Sequence, residues 1–347
     1  MHLATIDCGT TNSRVYIVNE RGEVKARAVR KVGVRDTALS GSTEKLKTGL
    51  REAYAEALAG AGLSVGAISL VVSSGMITSE IGLAELPHLW APASLDALAG
   101  GITRLPQDDL FPGGPPVYFV RGVKNWYDEA RSGLDDADRL DFMRGEETQV
   151  VGYLSLHETR LPLTFVVLSS HTKFISINHE GAIAGSLTTV SGQVYEALMK
   201  ETFLAKSVEG DPRRSKQGGD LDEGHYRSIL DLARRFCDEG GFLRALLVTR
   251  FMDTLLSTTR EERQVYVEAV LAAEDLKVLS RLPAMGFPAE AGFVLVGSPA
   301  RVRLYELLLE MSGVVGPIRS VTDTTEVDSL SIAGSLLLLR RAGILRE

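Results

Sequence analysis

The sequence predicts an α/β protein of two lobes, each with a mixed sheet, and a cleft between the lobes. The first observation is the order of elements at the start of the chain, where three strands, a helix and a fourth strand follow one another between residues 3 and 73. This order favours a mixed sheet backed by helices. The second observation is that an apolar strand, a polar turn and a returning strand recur from residue 163, which suggests two lobes of one kind.

The length of 347 residues is enough for two domains of ordinary size. Acidic residues are concentrated between residues 135 and 141, and we interpret this segment as a link between domains. We therefore predict lobes at 1–140 and 141–347. The final predicted helix, 330–341, is a candidate to pack back on the first lobe.

The composition excludes several classes of protein. Hydrophobic residues make up 44% and charged residues 24% of the chain, which is the balance of a globular protein. Acids outnumber bases by 45 to 38, and no Lys- and Arg-rich run indicates a nucleic-acid surface. Cys8 and Cys237 are far apart, so a disulfide framework is not expected. No apolar run reaches the ~18 residues of a membrane span, and we expect a cytoplasmic protein without a nucleic-acid or membrane partner.

The elements of the first half follow from the spacing of apolar residues. A hairpin is predicted over 3–18, further strands over 24–29, 67–73 and 117–120, and a helix over 42–59. The segment 82–114 contains Pro87, Pro92, Pro106 and Pro112 and is predicted to be rich in loops.

The second half begins with a helix predicted to start at Gly145, whose first turn carries two carboxylates. Strands are predicted over 163–168, 174–178 and 293–297, helices dominate from 195 to 282, and further helices cover 302–311 and 330–341. The polar segment 209–220 is predicted to be a solvated loop.

The turn of the first hairpin has the residues of a phosphate-binding site. Gly9 allows the backbone to approach a ligand closely, and Thr10, Thr11 and Asn12 supply N–H and hydroxyl donors. Asp7 can hold a metal ion through its water shell. An ordinary hairpin with a Gly-Thr turn has the same residues, so the turn alone leaves both interpretations open.

A family resemblance follows from the segment Asp141-Phe142-Met143-Arg144-Gly145-Glu146-Glu147-Thr148-Gln149. It resembles the Met-Arg-Gly-Glu-Glu-Thr-Gln signature of the 2-dehydro-3-deoxygalactonokinases, which are sugar kinases of the actin and Hsp70 ATPase (ribonuclease H-like) fold. Supporting matches, in the family's order, lie at 7–14, 74–79 and 189–192. The resemblance implies phosphorylation of the C6 hydroxyl of 2-dehydro-3-deoxy-galactonate by ATP with Mg²⁺.

Three departures from the family pattern lie at the predicted nucleotide site, and one of them is that the helix near this site, typically rich in Gly, reads Val270-Leu271-Ala272-Ala273-Glu274. The family usually carries Pro-Gly-Thr-His-Ser-Lys-Trp at the second phosphate turn, whereas Ser169 here stands in place of the Gly. A Gly in such a turn allows close approach of the backbone to phosphate, so Ser169 is expected to reshape the turn. In the late turn Pro299 follows Gly297 and Ser298 and removes one N–H donor.

The resemblance also implies roles for individual residues. Asp7 would orient Mg²⁺, and Glu146 would be the catalytic base that accepts the proton of the sugar hydroxyl. The nucleotide phosphates would be bound by small and polar turn residues: Gly9, Thr10, Thr11, Asn12, Ser169, Ser170, His171, Gly297 and Ser298. The sugar acid would be bound mainly by basic and polar side chains: Arg14, Gly75, Met76, Ser79, Arg144, Glu147, Thr148 and Lys173.

Several alternatives stay open at this point. Glu146 and Glu147 could be ordinary helix caps, because acids favour a first helical turn. The protein could be a non-catalytic sugar-acid binding or regulatory protein that has lost the chemistry of ATP, or a kinase for a different keto sugar acid. The expected partners are the sugar acid and ATP, and the oligomeric state, including a homodimer, is left open.

Overall fold

The computed structural model describes residues 1–106, 110–111, 114–210, 221–256, 258–287, 292–313 and 316–346. The strands are β1 (His2–Cys8), β2 (Ser13–Asn19), β3 (Val24–Arg30), β4 (Ile68–Gly75), β5 (Leu89–Trp90), β6 (Thr103–Leu105), β7 (Val117–Phe119), β8 (Val123–Lys124), β9 (Phe142–Met143), β10 (Leu163–Leu168), β11 (Thr172–Ile177), β12 (Ile183–Thr189), β13 (Gly292–Gly297) and β14 (Ile318–Val321). The helices are α1 (Val34–Ser40), α2 (Glu44–Ala61), α3 (Leu95–Gly100), α4 (Glu146–Leu156), α5 (Ser191–Glu201), α6 (Leu204–Glu209), α7 (Glu223–Gly240), α8 (Phe242–Thr254), α9 (Arg260–Leu276), α10 (Pro299–Met311) and α11 (Thr324–Arg341).

The first sheet has six strands in the order β3-β2-β1-β4-β7-β6. β1 pairs with β2 in antiparallel and with β4 in parallel orientation, so the sheet is mixed as predicted. β1 and β4 are buried along most of their length because they lie in the centre of the sheet. The apolar face of α2, with Leu46, Leu50 and Tyr54, packs with these strands in one buried core.

The second sheet has five strands in the order β12-β11-β10-β13-β14. Its first three strands follow one another in the chain, and the fourth, β13, pairs in parallel with β10. This is the arrangement of β3, β2, β1 and β4 in the first sheet. The predicted α/β fold with two mixed sheets, each with a three-strand opening, is therefore confirmed.

Several elements of the described fold were not predicted. The short helix α1 has only seven residues, and its first N–H groups donate to the carbonyls of Gly9 and Thr10 in the first polar turn. Within 82–114, which was predicted to be rich in loops, α3 forms with Ser94 as its side-chain N-cap, and the short strands β5 and β6 lie in the same segment. The strand β14 was also missed. Most of the predicted loop 209–220 lies outside the described residues.

The last helix, α11, packs closely against α4 at two glycines. A Cβ on Gly152 would lie 1.9 Å from the carbonyl oxygen of Leu330, and a Cβ on Gly334 would lie 1.9 Å from that of Thr148. Since no larger side chain fits at either position, the backbones of the two helices are in direct contact. This contact supports α4, whose first turn carries Glu146 and Glu147.

The contacts between residues divide the chain into two compact units. The first comprises 1–162, 175–186 and 324–347, and the second comprises 163–174 and 187–323. The predicted lobes 1–140 and 141–347, and the packing of the final helix on the first of them, stay a prediction. Within the described part of the chain, no helix combines the length and the apolar character that crossing a membrane requires.

Candidate functional site

The first polar turn connects β1 to β2 in the first unit. Its hairpin is closed by a hydrogen bond from the N–H of Gly9 to the carbonyl of Asn12, at 2.8 Å. Asp7 and Arg14 are register partners, and Nη1 of Arg14 donates to Oδ2 of Asp7 at 2.9 Å. Burial raises the pKa of Asp7 above its ordinary value, and the neighbouring Arg14 acts in the opposite direction. The turn therefore combines a partly exposed acid with a cation and several polar residues.

Two glycines from other segments meet at the end of β1. Gly75 is the last residue of β4, the parallel neighbour of β1, and a Cβ on it would lie 2.5 Å from the carbonyl oxygen of Cys8 and 3.4 Å from Oδ1 of Asp7. A Cβ on Gly145 would lie 3.2 Å from Cα of Gly75. Both glycines have positive φ, 91° and 112°, which other residues rarely adopt. The structure thus brings together three segments that the sequence predicted to bind ligand.

The guanidinium group of Arg144 is hydrogen-bonded within the first unit. Nη1 donates to Oγ1 of Thr78 at 2.8 Å, and Nη2 donates to the carbonyl oxygen of Leu86 at 2.8 Å. Nη2 also lies 3.4 Å from Nδ1 of His88. Arg144 therefore holds the segment that follows Gly75, and its predicted contact with the substrate carboxylate stays a prediction.

Glu146 and Glu147 begin α4 but differ in environment. Oε2 of Glu146 accepts a hydrogen bond from the N–H of Arg144 at 3.2 Å, and the residue is partly exposed. Glu147 is fully buried, and both of its carboxylate oxygens accept from the N–H of Gly145, at 2.8 and 2.9 Å. Burial, with a smaller contribution from the charge of Glu146, raises the pKa of Glu147 to about 8, against the effect of these hydrogen bonds. Of these two glutamates, only Glu146 is thus accessible to a ligand.

The other residues predicted for the first unit lie in the same turns. Thr78 and Ser79 are buried in a 3-10 turn after Gly75, and Oγ of Ser79 donates to the carbonyl of Met76 at 2.7 Å. Oγ1 of Thr148 donates to the carbonyl of Gly145 at 2.7 Å. Ser79 and Thr148 thus fix the shape of the turns.

The second polar turn, residues 169–171, connects β10 to β11. Ser169 and Ser170 are exposed, and Oγ of Ser170 lies 3.3 Å from Nδ1 of His171. The carbonyl of Ser170 accepts from the N–H of Gln193 at 2.9 Å. A Cβ on Gly192 would lie 2.4 Å from the carbonyl oxygen of Ser169, so Gly is required there. The segment 189–192, predicted from the family pattern, therefore supports this turn.

Three further predicted residues lie in the second unit near the strand ends. Lys173 is buried in β11, and its Nζ donates to Oγ1 of Thr188 at 2.8 Å. Gly297, the last residue of β13, is the register partner of Leu168, so the late turn lies beside the second polar turn. Ser298 precedes α10, and Pro299 occupies its first position. The N–H at that position makes no hydrogen bond within a helix, so Pro299 costs the helix no bond, although the helix start has one N–H fewer for an anion.

Sequence reasoning missed a polar network and a cavity in the second unit. Arg301 of α10 donates from Nη2 to Oγ1 of Thr172 at 2.8 Å and to Oγ of Ser191 at 2.9 Å. Ser191 also lines a cavity of about 520 Å³. Other residues that line it include Thr189, Phe242, Leu271, Asp275 and Lys277. Two nearby signals were present in the sequence, the Gly-Ser turn before α10 and the family match at 189–192, but they could not be connected because the members are far apart along the chain.

Metal ligands are sparse in the described residues. No group of three or more His, Cys, Asp or Glu side chains that could hold a metal ion occurs among them. Asp7, the residue predicted to orient Mg²⁺, therefore belongs to no such group in the described part of the chain, and the charge of Asp328 is near enough to help raise its pKa.

The sequence model of the 2-keto-3-deoxy-galactonokinases matches residues 7–331. The chain belongs to this family. A Rhizobium meliloti (strain 1021) relative, named as a 2-dehydro-3-deoxygalactonokinase, is 24% identical over 316 residues, which cover 90% of each protein. An Escherichia coli (strain K12) 2-dehydro-3-deoxygalactonokinase is 23% identical over 138 residues, 40% of each protein.

A solved structure shows the same fold as this chain. It is a Sinorhizobium meliloti protein described as a 2-dehydro-3-deoxygalactonokinase, with a TM-score of 0.71 and 23% identity over 97% of this chain and 98% of that one. The family that residues 141–149 indicated is thus confirmed, and this 2-keto-3-deoxy-galactonokinase family member is a kinase that acts on a sugar-acid hydroxyl.

Proposed function

We propose that this chain transfers the γ-phosphoryl group of ATP to the C6 hydroxyl of 2-dehydro-3-deoxy-galactonate or a closely related keto sugar acid. The observation that carries the proposal is the family match over residues 7–331. The meeting of Asp7, Gly75 and Gly145 at one end of the first sheet supports it, because ligands of α/β proteins gather where parallel strands end.

The residues of the first polar turn fit Mg²⁺. Proteins usually hold this ion through one or two carboxylates, with waters and substrate phosphates as the other ligands, so Asp7 alone suits it. When bound, Mg²⁺ would neutralise charge on the phosphate oxygens. Arg14 would add a second positive charge, and Thr10, Thr11 and Asn12 would donate hydrogen bonds to phosphate.

The turns of the second unit also have residues that would bind a nucleotide. Ser169, Ser170 and His171 with Gly297 and Ser298 would contact phosphates, since their turns lie beside each other at the ends of β10 and β13. We assign the nucleoside to the cavity of about 520 Å³ that Ser191 lines, because Ser191 is hydrogen-bonded to Thr172 next to the second polar turn.

The chemical step requires a base and a binding site for the sugar acid. The C6 oxygen attacks the γ-phosphorus, the bond to the bridging oxygen of ADP breaks, and Glu146 accepts the hydroxyl proton. Glu146 suits this role because it is partly exposed, whereas the fully buried Glu147 suits holding Gly145. Arg144 would bind the substrate carboxylate, and Arg14 and Lys173 are further candidates.

The test is a panel of deoxy keto sugar acids incubated with ATP and Mg²⁺, with ADP release measured and the phosphoester located by ³¹P and ¹³C NMR. We expect the galactonate compound to be the best substrate, and its 6-deoxy analogue to release no ADP. Faster turnover of another keto acid would show that this other compound is the preferred substrate. Binding of the sugar acid by calorimetry without ADP release would favour the non-catalytic alternative.

A further inference from the structure

We propose that Arg301 is a positioning residue for the nucleotide phosphates, because it holds the second polar turn in the shape that receives them. The proposal rests on the proposed function and deepens it by naming a residue outside the family signature on which use of the nucleotide depends. Arg301 acts through the turn and is not assigned a contact with the reacting atoms.

The guanidinium of Arg301 joins three points around the turn. Nη1 donates to the carbonyl oxygen of Ser169. Nη2 donates to Oγ1 of Thr172 at 2.8 Å and to Oγ of Ser191 at 2.9 Å, and these two oxygens are themselves 2.8 Å apart. Thr172 and Ser191 are buried. The planar group therefore links the start of the turn, its end, and the first residue of α5.

The network continues below the turn and is anchored by a buried acid. The hydroxyl of Tyr305 lies 3.4 Å from Oγ1 of Thr172 and donates to Oδ2 of Asp275. Oδ1 of Asp275 accepts from Oγ1 of Thr189 at 2.6 Å. A buried polar network whose members are satisfied fixes a single arrangement of its side chains. The turn is thus tied to Asp275, which also lines the cavity assigned to the nucleoside.

Holding the Ser169 carbonyl has a direct consequence for the donors of the turn. In a trans peptide the C=O of one residue and the N–H of the next point in opposite directions. The bond from Arg301 to the Ser169 carbonyl therefore directs the N–H of Ser170 away from Arg301. Likewise, the hydrogen bond from the N–H of Gln193 to the carbonyl of Ser170 directs the N–H of His171 away from Gln193. Arg301 thus sets the direction of the Ser170 N–H, from which a phosphate oxygen can accept a hydrogen bond.

The charge of Arg301 also favours an anion at this place. Its hydrogen-bond acceptors, the Ser169 carbonyl and the Thr172 and Ser191 hydroxyls, are all uncharged. Arg301 lies in the first turn of α10, where a cation is unfavourable unless an anion is near. In this chain Ser169 replaces the Gly of the family pattern, and the bond from Arg301 fixes the carbonyl of that residue.

The experiment compares Arg301→Gln, Arg301→Lys and Ser191→Ala with the wild-type protein and with Arg303→Gln. Arg303 is the matched control, since it lies on α10 two residues further on and pairs with Glu223 at the surface. KM is measured separately for ATP and for the sugar acid, ADP binding is measured by calorimetry, and the midpoint of thermal unfolding is recorded.

We expect Arg301→Gln to raise KM for ATP and the dissociation constant of ADP about tenfold or more, as for loss of charge-assisted hydrogen bonds. KM for the sugar acid should stay within about twofold. Arg301→Lys keeps the charge but not the planar fork, and Ser191→Ala removes one acceptor, so both should show a smaller rise. Arg303→Gln should match the wild-type protein.

Equal nucleotide binding by the wild-type protein and Arg301→Gln would overturn the positioning role. A parallel rise of both KM values with a lowered unfolding midpoint in all three variants would also overturn it in favour of a general structural role. A wild-type protein that binds ADP but transfers no phosphoryl group contradicts the proposed function instead, and the calorimetric comparison still decides the role of Arg301.

Discussion

Arg14 and Asp7 face each other across β1 and β2, and Nη1 of Arg14 donates to Oδ2 of Asp7 at 2.9 Å. One carboxylate oxygen is thus occupied by a cation, and Oδ1 points to Gly75. Burial raises the pKa of Asp7, so the fold is less stable with an ionised Asp7 than it would be with a neutral side chain at this position. An acid in that position is typical of a functional site.

The first prediction concerns Asp7→Asn. We expect kcat to fall by about 10² or more, because the amide cannot supply the charge that orients Mg²⁺. The folded-state pKa of Asp7 lies above its ordinary value, so ionisation of Asp7 destabilises the fold at neutral pH, and the amide removes this effect. The midpoint of urea unfolding at neutral pH should therefore be unchanged or higher. Near-normal turnover would contradict the proposed role of Asp7. The control is Glu56→Gln, which changes an exposed residue of α2.

The second prediction concerns Glu146→Gln, which keeps the shape of the side chain and removes its basicity. Turnover should fall by about 10² to 10⁴, while the dissociation constant of the sugar acid changes little. If Glu146 is only a helix cap, the variant should lose a fraction of a kcal/mol (~0.5) in stability and keep its turnover. Steady-state kinetics together with calorimetry separates the two results.

The third prediction concerns Arg144→Lys. The ammonium group of lysine lacks the planar fork with which Arg144 donates to Thr78 and Leu86 and would bind a carboxylate. KM for the sugar acid should therefore rise about tenfold. The control is Arg121→Lys, because Arg121 also donates to carbonyls of the neighbouring segment, those of Pro87 and His88. Equal KM values for both variants would exclude a specific role of Arg144.

The fourth prediction concerns the pH dependence of Glu147. Its pKa is about 8 in the folded protein, above the ordinary value of 4.5. Between these values the folded state binds a proton that the unfolded state has lost, so the free energy of unfolding should fall as pH rises from 4.5 to 8. Glu147→Gln removes this contribution and should flatten the dependence. Urea unfolding of both proteins across this range provides the check, and parallel curves would refute the prediction.

Strands with a strong local signal could be predicted from the sequence, and elements formed by distant contacts could not. β1, β2, β10 and β11 are apolar or β-branched runs that end at polar turns, and the structure places them as expected. In contrast, α1 has seven residues and begins where its N–H groups donate to the turn of residues 9–10. Such a short helix has little periodicity to detect.

The candidate site shows the same limit. The turn at 7–12 could be picked out as a short run of Gly, an acid and hydroxyl residues, and the segment 144–148 by its resemblance to the family signature. The burial that distinguishes Glu147 from Glu146 depends on packing around α4, and it cannot be predicted from the residues next to them in the sequence. Arg301 lies 132 residues from Ser169, so no local pattern connects them.

The close contact between α4 and α11 also determines when the site can form during synthesis. The first turn of α4 carries Glu146 and Glu147, but its glycine-to-backbone contact with α11 needs Leu330 and Gly334, near the end of the chain. A ribosome-bound chain that stops short of residue 324 therefore has the strands of both sheets but lacks the helix against which α4 packs. The first turn of α4 is therefore among the last parts of the described chain to gain its packing partner.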